Sequence, residues 1–409
     1  MINISLNKKV IIFGFIFTFF SSFGQSFFLG IFNTSIRNEL SITHGQFGTL
    51  YAGATICSSL LLIWFGKKID EYPIFNYSVI VFCLLLISSI FFSYINSVYY
   101  LALAIFLMRF SGQGLMSHTS STTISRYFTK SRGRALSAIW FGLSSAEFIL
   151  PMLIIFLLTL FSWREVWQLI SVFILIVLPA TIFFTIKNIS LNTREKTHEP
   201  NKNKKFILIK NWKRSEVIKD FKFYIISLNM LSMPWIVTGI FIYQSFIAES
   251  KSWDIYVIPK SFMVYSICSI LTLIFSGFLV DKYTSRKLLP IMNIPLLAGM
   301  MILYYFDFIF ASYLFFGLVG VSNGLSNVLG SSTWAEIYGV KYLGGIKALT
   351  TSLMVFSTAF GTAIFGVLID NSLAIEQILL IGIIYVALSL FLLLLIKKSL
   401  QPHYLSKKA

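Results

Sequence analysis

The chain has 409 residues, of which 56% are hydrophobic and 12% charged; a soluble domain carries about 25% charged residues, so a soluble enzyme is excluded. A bilayer crossing takes roughly 20 apolar residues, and this content suffices for about ten to twelve crossings with no room for a sizeable extramembrane domain. The charge is lopsided, 33 Lys and Arg against 16 Asp and Glu for a net of +17, a balance that in a soluble protein would point to nucleic acid.

In chain order, Lys8 and Lys9 precede an apolar run over 10–32. That order is the order of a secretory signal, but the run is too long and lacks a small-residue cleavage site, so it reads as an uncleaved first span. Further apolar stretches cover about 47–65, 73–93, 166–186, 222–247, 260–280, 288–306, 309–333, 346–369 and 374–396. Two more, about 98–120 and 136–160, contain Arg109, His118 and Glu147. The pattern predicts an all-α polytopic membrane protein with twelve transmembrane helices. Cys57, Cys83 and Cys268 all lie in apolar runs, which suggests neither a disulfide framework nor a metal site.

Cytoplasmic loops collect Lys and Arg. With the amino terminus inside, 28 of the 33 basic residues fall on one side, leaving Arg37, Arg164, Lys251 and Lys260 outside and Arg109 in the membrane. Both termini are therefore expected in the cytoplasm of a multi-pass inner-membrane protein. The long polar segment 187–222 carries 11 basic residues against four acidic ones. It reads as a cytoplasmic linker able to touch anionic headgroups. The expected division is 1–186 as a first six-helix half, 187–221 as linker, 222–396 as a second half and 397–409 as tail.

The chain also repeats at an offset of 211. Gly66 and Asp70 recur as Gly277 and Asp281, and Ser120, Ser121, Thr122, Tyr127, Lys130 and Gly133 recur as Ser331, Ser332, Thr333, Tyr338, Lys341 and Gly344. Two duplicated, pseudo-symmetric six-span halves explain this, an architecture known in transporters with the substrate site at mid-depth between halves.

These residues resemble the major facilitator superfamily of secondary transporters over the whole chain. Its loop motif G-x-x-x-D-[RK] with further basic residues is matched by Gly277, Asp281, Lys282, Arg286 and Lys287, with Thr284 where glycine is usual. The first copy keeps Gly66 and Asp70 but carries Glu71, Tyr72 and Pro73 in place of the basic tail. Arg109-Phe-Ser-Gly-Gln-Gly114 is similar to the family's span-4 arginine motif, and Trp163-Arg164 is also typical. The drug-antiporter motif of span 5 and the sugar-porter motif after spans 6 and 12 are absent, and the loop texture at 126–136 and 336–349 loosely resembles the monocarboxylate and organic-anion carriers. The resemblance implies a gating role for Gly66, Asp70, Gly277, Asp281, Lys282 and Arg286, the carboxylate meeting a helix N-terminus or a basic group across the halves.

Ionisable residues at mid-depth are functional candidates because their burial is costly. Arg109 and Glu147 sit near the middles of neighbouring spans and could meet. Arg109 would then attract an anion or tune Glu147, the expected proton-coupling carboxyl, while a static ion pair is the alternative. Regular helical phase places Gln113, Met116 and Ser120 on the Arg109 stripe and turns His118 away. The repeat carries the same stripe to Asn323 and Asn327, which could equally be hydrogen-bonded helix contacts. Spans 1 and 7, which line the cavity in the family, add Gln25, Thr238, Tyr243 and Gln244 as candidate substrate ligands. The expectation is a monomeric, non-enzymatic secondary carrier in the lipid bilayer, without cofactor or metal. It would move a small organic anion such as a carboxylate with the proton as coupling ion; an exporter of amphipathic or drug-like compounds is the alternative, and a non-transporting receptor is less favoured. Motifs for a phosphate loop and for hydrolases are missing.

Overall fold

A computed structural model describes residues 4–128, 132–187, 210–339 and 343–401. The expected linker therefore lies largely outside the described residues. The described chain is helical throughout, and twelve spans can be followed in it. Spans 3 to 12 are Ile74–Ser93, Val98–Ile124, Ala135–Leu158, Trp163–Ile186, Phe221–Ile242, Val257–Val280, Ser285–Tyr305, Ile309–Tyr338, Leu349–Asp370 and Ile375–Leu395. Span 2 is His44–Phe65. Span 1 is interrupted: Ile4–Ser21 runs through a short tight turn, Ser22–Gly24, and resumes as Ser26–Ile31.

Local chemistry explains the starts. Thr43 accepts from Gln46 N while Gln46 returns a bond to Thr43 N, and Ser162 and Glu165 repeat the arrangement at span 6; each reciprocal pair satisfies amides that a helix start leaves free. Asp220 accepts from Lys222 N at the start of span 7. The break in span 1 falls at Gln25, whose backbone is extended at φ −83°, ψ 155°.

An even number of spans per half puts the chain termini and the linker on one face, here the linker face; the other is the distal face. At the distal face each half ties three of its own loops together. In the first half Glu39 receives Arg164 at 2.7 and 2.8 Å and Trp163 Nε1 at 2.8 Å, and Arg164 also donates to the Ile95 carbonyl. In the second, Lys251 Nζ donates to Asp307 and, at 2.8 Å, to Glu376, while Trp253 Nε1 donates to the Asp307 carbonyl. Glu39 and Lys251, Ile95 and Asp307, and Arg164 and Glu376 are each 212 residues apart, one more than the loop-motif offset. The repeat thus extends to loops whose side chains share no identity.

Candidate functional site

Span 1 and span 4 meet backbone to backbone where both are irregular. Span 4 carries a π-helical segment, Arg109–Met116, whose i to i+5 bonding inserts extra residue per turn. A Cβ on Gly24 would stand 2.5 Å from Gln113 N and 3.0 Å from Gly112 Cα, and one on Gly112 would stand 2.8 Å from Gly24 N. Only glycine allows this approach. It brings Gln25, Arg109 and Gln113 into one neighbourhood.

Arg109 is buried there, donating from Nε to Thr55 Oγ1 at 3.2 Å and from one terminal nitrogen to the Gly24 carbonyl at 3.1 Å. Its guanidinium carbon lies 5.2 Å from the centre of the Tyr51 ring. Among the described residues it has no ion-pair partner within 4.0 Å. The expected meeting with Glu147 does not occur. Arg109 instead faces spans 1 and 2, and Tyr51 and Thr55 of span 2 stand at i and i+4 beside it; the π segment that starts at Arg109 rotates the residues after it away from a regular stripe. Met116 and Ser120, expected on the same stripe, are fully buried, and Ser120 Oγ bonds the Gly14 carbonyl at 2.8 Å. Gln25 and Gln113 are half-buried. Sequence reasoning missed Tyr51 and Thr55, although their spacing marks one helical stripe.

Glu147 is buried where span 5 packs on span 8, at the boundary between the halves, and Tyr265 of span 8 lies within its electrostatic reach. A groove of about 550 Å³ lies between spans 5 and 8, lined by Phe148, Met152, Phe156, Tyr256 and Met263, with Lys260 among them.

Tyr243 and Gln244 sit at the break that ends span 7, and both reach the first half. Tyr243 OH lies 2.8 Å from the His44 carbonyl and 3.0 Å from that of Thr362, sharing one proton between halves; Gln244 Nε2 donates at 3.0 Å to the carbonyls of Phe27 and Phe241. Asp370, at the end of span 11, accepts from Gly45 N at 2.8 Å, and Phe27 packs 5.7 Å from Phe262. These contacts form a seam closing the halves at the distal face. Expected as cavity ligands, Tyr243 and Gln244 instead spend their hydrogen bonds on backbone in this seam. Thr238 is buried within span 7, Asn323 donates to Ser269 Oγ at 3.0 Å, and Asn327, one turn on, is exposed.

At the linker face, the Gly66 carbonyl accepts from His118 Nε2 at 3.0 Å, so His118 serves as a contact between spans. Arg286 pairs with Glu336 at 3.4 Å and donates to Gln401 at 3.1 Å, within its own half. Lys282 is exposed and lies 5.2 Å from the Tyr283 ring centre. The side-chain environments of Asp70, Gly277 and Asp281 lie outside the described residues.

The model of the major facilitator superfamily matches residues 14–362. The chain belongs to the major facilitator superfamily. No curated protein matches it by sequence. Its fold is similar to that of a bacterial homologue of the human lysosomal transporter Spinster, in an inward-facing and unoccupied conformation, with TM-score 0.71, 11% identity and coverage of 97% of this chain and 98% of the other. It is also similar to the nucleoside transporter NupG, with TM-score 0.69, 13% identity and coverage of 97% and 99%. This superfamily member is thus a multi-pass membrane transporter of two six-helix halves, and at these identities the neighbours establish its fold alone.

Proposed function

We propose that the protein is a secondary active carrier that moves a small organic anion, such as a carboxylate, across the cytoplasmic membrane by alternating access, coupled to protons. The observation that carries this reading is Arg109, a buried cation whose two hydrogen bonds go to uncharged oxygens. A guanidinium has five N–H donors, and a charge at mid-depth without a counter-ion attracts an anion. Gln25, Gln113, Asn323 and Asn327 would complete the site. Glu147, at the boundary between halves beside Tyr265, would carry the proton. The linker face would be cytoplasmic, where Lys and Arg collect, and the distal seam would then be the outward gate in its closed state.

Uptake of a radiolabelled carboxylate into proteoliposomes tests the reading. Arg109→Gln is expected to lower saturable uptake at least twentyfold; Glu147→Gln is expected to keep exchange but lose accumulation driven by a pH gradient. Uptake indifferent to Arg109→Gln overturns the anion assignment, and gradient-driven accumulation unchanged in Glu147→Gln overturns the coupling assignment.

A second reading, export of amphipathic compounds, is favoured by the apolar groove between spans 5 and 8. Methionine and aromatic linings accommodate varied apolar shapes.

A further inference from the structure

The start of span 2 uses its capping groups incompletely. Thr43 serves Gln46 N, and Gln46 serves Thr43 N, which leaves the Gly45 amide in the first turn without a partner in its own helix. That amide is satisfied from the other half, by Asp370 Oδ2 at 2.8 Å, across 325 residues of chain.

Three further observations make this contact a built one. A Cβ at Gly45 would stand 2.6 Å from Asp370 Oδ2, so a side chain there would push the carboxylate off the amide. Gly48 and Gly366 let spans 2 and 11 cross at backbone distance beneath it, with the Tyr243 hydroxyl between them. Asp370 is also the last residue of its own helix, where a negative charge meets the negative end of the helix dipole; docking on the positive end of span 2, a helix of 22 residues, reverses that penalty. Spans 2 and 11 run antiparallel, so the two helix ends that meet at the distal face are of opposite polarity. Asp370 itself is exposed, so water can replace span 2 when the contact breaks.

We propose that Asp370 is a gating residue of the distal gate: its carboxylate, docked on the amino terminus of span 2 across the two halves, biases the carrier toward the state closed at that face. The proposal rests on the alternating-access reading but on neither the anion nor the proton assignment. It places a carboxylate-on-helix latch at the end of the molecule opposite the loop motifs of Asp70 and Asp281, and on span 11 rather than on a loop.

The test measures populations without substrate, so its outcome is separable from that of the transport assays. In the full chain in lipid nanodiscs, with Cys57, Cys83 and Cys268 replaced by alanine, spin labels are placed at the exposed positions Asn38 and Ser250 for the distal face. A second pair at Glu71 and Tyr283 reports the linker face. Asp370→Ala is expected to raise the ratio of distal-open to distal-closed molecules roughly fivefold to tenfold, the scale of a charge-assisted helix-terminus bond, with the linker-face distance shortening in the same molecules. Asp370→Asn, which keeps an acceptor and loses the charge, is expected to move it less. Gly45→Ala breaks the contact from the other side and is expected to shift the same way, with the double variant no further than the larger single one. A distal distance distribution unchanged in Asp370→Ala, or effects of Asp370→Ala and Gly45→Ala that add in full, overturns the proposal.

Discussion

In the first half a carboxylate, Glu39, is the hub of the distal node, gripped by Arg164 and Trp163; in the second the hub is an ammonium, Lys251, gripped by Asp307 and Glu376. The positions correspond, and the polarity is reversed. What the duplicated architecture requires at this place is that three loops be tied together, and either sign of hub does it. The nodes differ in burial, and burial sets their energetics. The hub Lys251 is 1% exposed while its partners Asp307 and Glu376 are 74% and 41% exposed; in the first node the hub Glu39 is 46% exposed and Arg164 28%. A solvated pair contributes about 0 to 1 kcal/mol. A buried charge depends on its partners, because losing them leaves it uncompensated.

The comparison is broken most severely by removing both partners of the buried hub. Asp307→Asn with Glu376→Gln is expected to destabilise the protein by more than the roughly 1 kcal/mol of an exposed pair, read as a drop in the thermal midpoint in detergent, with Trp253 beside the node as a fluorescent reporter. An effect no larger than that of an exposed pair would show that water reaches Lys251. The next effect in size is a pH dependence. Burial works to lower the Lys251 pKa, but the hydrogen bonds it donates to Asp307 and Glu376, and their negative charges, outweigh it and hold the value above the ordinary 10.5. A folded-state value above the unfolded one means the stabilisation is complete below pH 10.5 and is lost as pH rises through the folded value. The stability difference between the native protein and Lys251→Met is therefore expected to shrink above about pH 10.5 and to stay flat between pH 7 and 9. The smallest effect belongs to the first half: Arg164→Ala is expected to cost about 1 kcal/mol or less. Concentrated salt should erase more of that difference than of the Lys251 one, since exposed pairs are screened and buried ones much less.

The twelve spans and the two halves were legible in the sequence because apolar run length and loop motifs are local signals. The burial of Arg109 was legible for the same reason, as a charge inside an apolar run. Its partner was not. A regular 3.6-residue turn carries Arg109 to the stripe shared with Met116 and Ser120, and the π segment over Arg109–Met116 changes that phase without leaving a mark that periodicity detects. The distal seam was hidden for another reason. Tyr243 and Gln244 bond to main-chain carbonyls of His44, Thr362, Phe27 and Phe241, and a carbonyl acceptor has no residue type to find. Polar side chains near a helix break in span 7 therefore read as ligands, while in this structure their hydrogen bonds go to backbone. The distal nodes escaped the repeat search because their correspondence is of position, with every side chain exchanged.

The Gly24 carbonyl gives the interruption of span 1 a thermodynamic meaning. It lies at the end of the first segment of that span, where carbonyls lack helical partners and the dipole is negative, and Arg109 rests on it at 3.1 Å. On the proposed function, an anion arriving at Arg109 would compete with this built-in acceptor, so its net affinity would be the difference between two attractions to one guanidinium. Such a site would bind its cargo less tightly than a bare cation and return a partner to Arg109 on release, which suits a carrier whose turnover needs release as much as capture.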